Sequence, residues 1–239
     1  MCYRAQSMPS FIWFDLGYTL LYKPREEAYG RVLAEGGVTI PLDELERAFH
    51  LVDKLFMREH PGVFGHDPDT FMPWFLGELN YRLGVRLDIC RAWQRLKEVR
   101  DALPRYWLPF DNVRSVLDDL KRRKLRLGVI TNWDPSARSL LECHDLARFF
   151  EQIVVSSEEE CEKPDPRIFE AAVRRAGVSP GECLYVGDNY YVDAVGARRA
   201  GMEALIVNRF GSLGVEEITD QTIIRDVSQV VDWLGSTPG

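Results

Sequence analysis

The sequence predicts an α/β protein: a doubly wound parallel sheet interrupted by an all-helical insertion. Three observations carry this. An aromatic run, Phe11-Ile12-Trp13-Phe14, reads as a buried strand and stops abruptly on Asp15, with Gly17 close behind. A long stretch without convincing strands follows. The second half then alternates short apolar runs with helical patterns, the signature of right-handed βαβ units.

Taken in order, the segment Met1 to Ser10 is polar, Met8 is an alternative start, and the apolar run behind it is too short for a signal-peptide core. The first strand ends on Asp15. From Leu21 to Leu108 the apolar period is helical, with Leu42, Leu45, Phe49, Val52 and Phe56 on one face. Pro61-Gly62 and Asp67-Pro68 break it in a loop that also holds His60 and His66, both read as exposed to solvent. Phe71, Phe75, Leu79 and Leu83 mark the next helix, and a further one spans Asp88 to Leu103. Trp74, Phe71 and Phe75 are candidates to line the mouth of the crevice, but their helical spacing favours the core of the insertion. Asp111 to Lys124 reads as a helix burying Val113, Val116, Leu117 and Leu120. Its closing run, Lys121-Arg122-Arg123-Lys124, suits the negative end of the helix dipole. Strands are expected at Leu127 to Thr131, Gln152 to Ser156, Cys183 to Gly187 and Ala204 to Val207. The expected division is an α/β core of 9–20 and 109–239 with a helical segment of 21–108.

Composition narrows the function. With 30 Lys and Arg against 37 Asp and Glu, the formal charge of −7 lacks the basic surface that nucleic acid requires. No apolar stretch is long enough to span a bilayer. Five cysteines without a framework spacing suggest reduced thiols and a cytoplasmic protein.

Polar groups gather where predicted strands end. Asp15 follows the first, Thr131-Asn132 the second, Lys163-Pro164 comes soon after the third, and Gly187-Asp188 through Asp193 follows the fourth. Open α/β sheets place their chemistry at the carboxyl ends of strands. Three carboxylates in one crevice repel each other unless a cation joins them, and their hard oxygens suit Mg²⁺. Lys163 adds a point charge for a phosphate or a carboxylate nucleophile, and the turn after Thr131 offers donors for phosphate oxygens. The set fits phosphoryl transfer through an aspartyl-phosphate.

These stretches resemble the haloacid dehalogenase-like hydrolase superfamily over nearly the whole chain. Asp15-Leu16-Gly17-Tyr18-Thr19 is similar to its first motif, Asp-x-Asp-x-Thr, with glycine for the second aspartate. Ile130-Thr131-Asn132 resembles the second motif, Lys163-Pro164 the third, and Gly187-Asp188 to Asp193 the fourth. The insertion is similar to the family's helical cap, and the whole looks most like the rhythmically-expressed-gene-2-like branch. The resemblance implies a Rossmann-like core with Asp15 as nucleophile and metal ligand. Thr131 and Asn132 would hold the phosphoryl group, and Lys163 would balance its charge. Gly17 (through its carbonyl), Asp188 and Asp193 would complete a Mg²⁺ site. The expected ligand is a small phosphorylated substrate, bound by a monomer or homodimer with no nucleic-acid or membrane partner.

Gly17 keeps the carbonyl of that position and loses the carboxyl that delivers protons, help worth about 10²–10⁴-fold. A phosphatase would then draw its proton from His60, His66, Asp67 or Tyr18. A 2-haloacid dehalogenase-like or phosphonatase-like enzyme is an alternative; the latter would call on Lys54, otherwise a solvated helix-surface lysine. A weakened pseudoenzyme that binds metal or a phosphorylated ligand is the third.

Overall fold

A computed structural model describes residues 8–102 and 107–236; Leu103, the expected end of the last inserted helix, lies outside them. The chain divides into two compact units. One holds the chain up to Tyr22, then Pro109–Ser212, then Glu217 onward; the other holds Lys23–Leu108 and Leu213–Glu216.

In chain order, β1 (Phe11–Phe14) and the two-residue β2 (Leu21–Tyr22) precede four helices: α1 (Arg25–Glu35), α2 (Leu42–Glu59), α3 (Pro68–Arg82) and α4 (Ile89–Asp101). There follow β3 (Leu108–Pro109), α5 (Val113–Arg122), β4 (Arg126–Thr131), α6 (Ser136–Cys143), β5 (Gln152–Val155), α7 (Ser156–Glu159) and α8 (Pro166–Ala176). The chain continues with β6 (Cys183–Gly187), α9 (Val195–Arg199), β7 (Glu203–Val207), β8 (Thr222–Ile224) and α10 (Gln229–Ser236).

Six strands form one sheet in the order β5-β4-β1-β6-β7-β8, every pair parallel. Strand β1 lies between β4 and β6, with Phe14 opposite Val129 on one side and Val186 on the other. All four β1 residues are buried, as expected of a central parallel strand covered on both faces. Trp13 stacks on Phe11 at 4.3 Å and lies in register with Gly128. A Cβ there would run into the Trp13 ring and stand 2.9 Å from the Phe11 ring, so glycine admits the aromatic pair.

Two helices show how local sequence sets the frame. In α5 the residues Val113, Val116, Leu117 and Leu120 are buried, and Lys121 and Arg122 close the last turn. Helix α8 opens with Asp165, whose side chain accepts the Arg167 N–H, and with Pro166 in its first turn; it ends at Gly177, φ 63°. That start fixes the loop holding Lys163.

The helical unit has its own aromatic core. Tyr29, Phe49, Phe56, Phe75, Leu79 and Leu96 are buried, and the Tyr29 hydroxyl donates to Asn80 Oδ1 at 2.6 Å. Asp67 and Asp88 cap α3 and α4 through their side chains. Segment Leu213–Glu216 packs here too: the Leu213 carbonyl meets His50 Nε2 at 2.8 Å, and Gly214 lies against the Lys54 stem.

Three expectations require correction. Trp74 is 51% exposed, on a face of α3 next to the one that buries Phe71 and Phe75, because it lies at the edge of the apolar stripe with its ring against Phe56. Lys54 is buried rather than solvated, its ammonium 3.5 Å from Met57 Sδ, since the Leu213–Glu216 segment covers it. His66 is exposed as expected, but His60 is half-buried, its ring packed on Trp74 and Phe56. Strand β5 also stops one residue short, with Ser156 opening α7.

Candidate active site

Asp15 sits where β1 ends, its N–H donating to the Val186 carbonyl at 2.8 Å. Its Oδ1 accepts a hydrogen bond from Lys163 Nζ at 2.7 Å. The same ammonium donates to Asp193 Oδ1 at 2.6 Å and to the Tyr185 hydroxyl at 2.9 Å. All four side chains are buried: Asp15 is 7% exposed, Lys163 3% and Asp193 1%, and Tyr185 has no accessible surface. Residues 148 positions apart thus meet inside the core unit.

Each member is held by a named device. Asn132 uses both ends of its amide on the Lys163 backbone: Nδ2 donates to the carbonyl at 2.9 Å and Oδ1 accepts the N–H at 2.8 Å. The peptide bond from Lys163 to Pro164 is cis. Asp193 lies in a single wide turn, Tyr190–Ala194, capped by Asn189, and its Oδ2 accepts the Asn189 N–H at 3.0 Å. Gly187 gives that carboxylate room, since a Cβ there would stand 2.5 Å from Asp193 Cγ.

Asp188 joins Asp15 and Asp193 in a cluster whose ligand atoms lie within 4.8 Å of one another. Two of these three carboxylates pair with one ammonium and the cluster keeps excess negative charge, so it fits a divalent cation on charge and on its all-oxygen donor set. The electrostatics agree. Burial pushes the Asp15 carboxyl above its usual range, Lys163 opposes this, and Asp193 adds to it. Burial works against the Lys163 charge, but Asp15 and Asp193 outweigh it and hold the ammonium above the usual lysine value. The Tyr185 phenol is raised by burial and then by the same carboxylates.

Of the remaining expected site residues, Thr131 is buried at the carboxyl end of β4, the strand beside β1. Gly17 is buried in the loop after Asp15, bridged to Leu21, and Tyr18 beside it adopts a left-handed conformation, φ 55°. Thr19 is buried, and its hydroxyl has no hydrogen-bond partner among the described residues. Asp67, a candidate proton donor, is an α3 cap, accepting the Asp69 N–H at 3.0 Å. Tyr185 was missed in the sequence. The available signal was a tyrosine in an otherwise apolar buried strand, because a buried phenol needs a polar partner.

A model of haloacid dehalogenase-like hydrolases matches residues 13–201. The chain is 32% identical to human haloacid dehalogenase-like hydrolase domain-containing protein 3, covering all of both chains. It is 29% identical to the rhythmically expressed gene 2 protein of Drosophila melanogaster, covering 86% of this chain and 85% of that one. The glyceraldehyde 3-phosphate phosphatase of Methanopyrus kandleri is 38% identical, with 83% of each covered. Among solved structures, a HAD-hydrolase of Bacillus subtilis superposes with a TM-score of 0.64 at 19% identity, covering 95% of this chain and 99% of the other.

Proposed function

Because the chain belongs to the haloacid dehalogenase-like hydrolase family, we propose that it is a Mg²⁺-dependent phosphatase of small phosphorylated metabolites. The observation that carries this is the buried Asp15–Lys163–Asp193 cluster with Asp188 beside it. A relative named for phosphatase activity on a triose phosphate supports the substrate class.

In this reading Asp15 attacks phosphorus, its O–P bond forming as the bond to the leaving oxygen breaks. Water then attacks the aspartyl-phosphate, releasing orthophosphate and restoring the carboxylate. Lys163 holds Asp15 in place and offsets charge gathering on the phosphoryl oxygens, while Thr131 offers its hydroxyl to the same group. Asn132 acts one step back, holding the Lys163 backbone. Asp15, Asp188, Asp193 and the Gly17 carbonyl would hold Mg²⁺, which neutralises phosphoryl charge when bound.

Gly17 supplies no proton to the departing oxygen. Substrates with good leaving groups, acyl and aryl phosphates, are therefore expected to turn over fastest, and alkyl esters slowly. A second reading, a metal-binding protein with little turnover, draws on the same glycine. The deciding assay measures phosphate release from acetyl phosphate and p-nitrophenyl phosphate, with Mg²⁺ and with chelator, alongside halide release from a 2-haloacid. Chelator-sensitive phosphate release that vanishes in Asp15→Asn is the expected result. Halide release indifferent to chelator, or silence on all three, would overturn it.

A further inference from the structure

We propose that Tyr185 is a positioning residue, whose phenol holds the Lys163 ammonium in the one orientation that serves Asp15 and Asp193 together. An ammonium has three N–H donors and no acceptor. The structure offers it three acceptors: Asp15 Oδ1 at 2.7 Å, Asp193 Oδ1 at 2.6 Å and the Tyr185 oxygen at 2.9 Å. The phenol can accept from lysine only if its own hydrogen points elsewhere. It does: the hydroxyl donates to the Ile130 carbonyl at 2.9 Å, with Asp193 Oδ1 a second acceptor at 3.2 Å. Donors and acceptors therefore close without a remainder.

The phenol is also rigidly carried. Tyr185 lies in β6, paired with Trp13 of β1, and its ring meets Phe169 edge-on at 5.3 Å. Two carboxylates alone would leave the third N–H buried and unsatisfied, free to turn the ammonium off the line between them. The hydroxyl removes that freedom. This role is additional to the nucleophile and charge-balancing roles of the reaction proposed above, and its kinetic consequence rests on that reading.

The test is Tyr185→Phe, which removes one oxygen and leaves the ring to fill its space. Two measurements are made on the full-length protein. Proton–nitrogen NMR on lysine labelled at Nζ should show one slowly exchanging ammonium in the wild type, shifted and exchanging faster in the variant. Steady-state hydrolysis of p-nitrophenyl phosphate with Mg²⁺ should show kcat falling roughly tenfold to a hundredfold, the equivalent of a hydrogen bond to a charged group. KM should move much less, since the misplaced ammonium acts on the reacting groups.

An ammonium signal absent from the wild type, or unchanged in the variant, overturns the assignment whatever the activity. A fall in kcat matched by an equal rise in KM also overturns it, because it marks general loosening of the site. If the wild type proves inactive on the phosphate ester, the proposed reaction fails while the NMR result still decides the role of Tyr185.

Discussion

Replacing Gly187 with alanine tests the site's architecture directly, since it adds one methyl group against the Asp193 carboxylate and removes no charged atom. The new Cβ would lie 2.5 Å from Asp193 Cγ and 2.8 Å from Asp193 Cβ, where ordinary contacts begin at 3.4 Å. Asp193 must then retreat by about 0.9 Å, the shortfall at Cγ. A shift of that size is large against the 2.6 Å bond to Lys163 and the 3.0 Å bond to Asn189, both of which the Asp193 carboxylate makes. Overpacking alone costs about 1–3 kcal/mol. Opening one side of a buried ion pair brings the total to about 3–5 kcal/mol. Urea unfolding reads the stability, and p-nitrophenyl phosphate hydrolysis, expected to fall at least a hundredfold, reads the site. Gly181→Ala is the control, because its Cβ would have nothing within 4 Å; it should stay within about 0.5 kcal/mol. A Gly187→Ala protein as stable and active as the control would refute the packing argument.

Three further outcomes are expected. Lys23, whose amine burial and the nearby Arg25 and Arg100 bring down to about 8, is held in the fold less willingly charged than in the unfolded chain, where the value is 10.5. Between those values the unfolded chain keeps the proton and the fold has lost it, so stability rises with pH across that window and the full penalty applies below it. Lys23→Met should therefore gain about 1–2 kcal/mol at neutral pH and flatten the rise; unfolding free energies from urea that rise equally in wild type and variant between neutral pH and the top of that window would reject this. Asn132→Ala should lose about 1–3 kcal/mol and most of the phosphatase rate by freeing the Lys163 backbone, and full activity in that variant would deny the clamp. Gly17→Asp, by restoring a carboxyl, should raise turnover of alkyl phosphates by up to about 10²–10⁴-fold; a folded variant with no gain would show that proton delivery was never limiting.

Much of the core was legible because parallel strands buried on both faces leave a strong pattern. Cys183–Gly187 lies where its apolar run predicts, and Asp15 ends β1 as its position after Phe14 suggests. The two-residue strands at Leu21–Tyr22 and Leu108–Pro109 were not, since so short a span carries no periodicity. Trp74 shows a different limit. Three-residue spacing from Phe71 puts it on a neighbouring face, but only the packed helix shows that this face stays open. At the site, residue types pointed to carboxylates and a lysine. The partners of the Asn132 amide and the Tyr185 phenol depend on which backbone and hydroxyl groups converge, which spacing along the chain does not encode.

The four residues Leu213–Glu216, lying far along the chain from the helices they accompany, make the helical unit a two-piece module. Excising 23–108 as a block would orphan those four residues, and grafting the same block onto another sheet would uncover His50 and Lys54. Recombination can transfer this unit intact only if both pieces travel together.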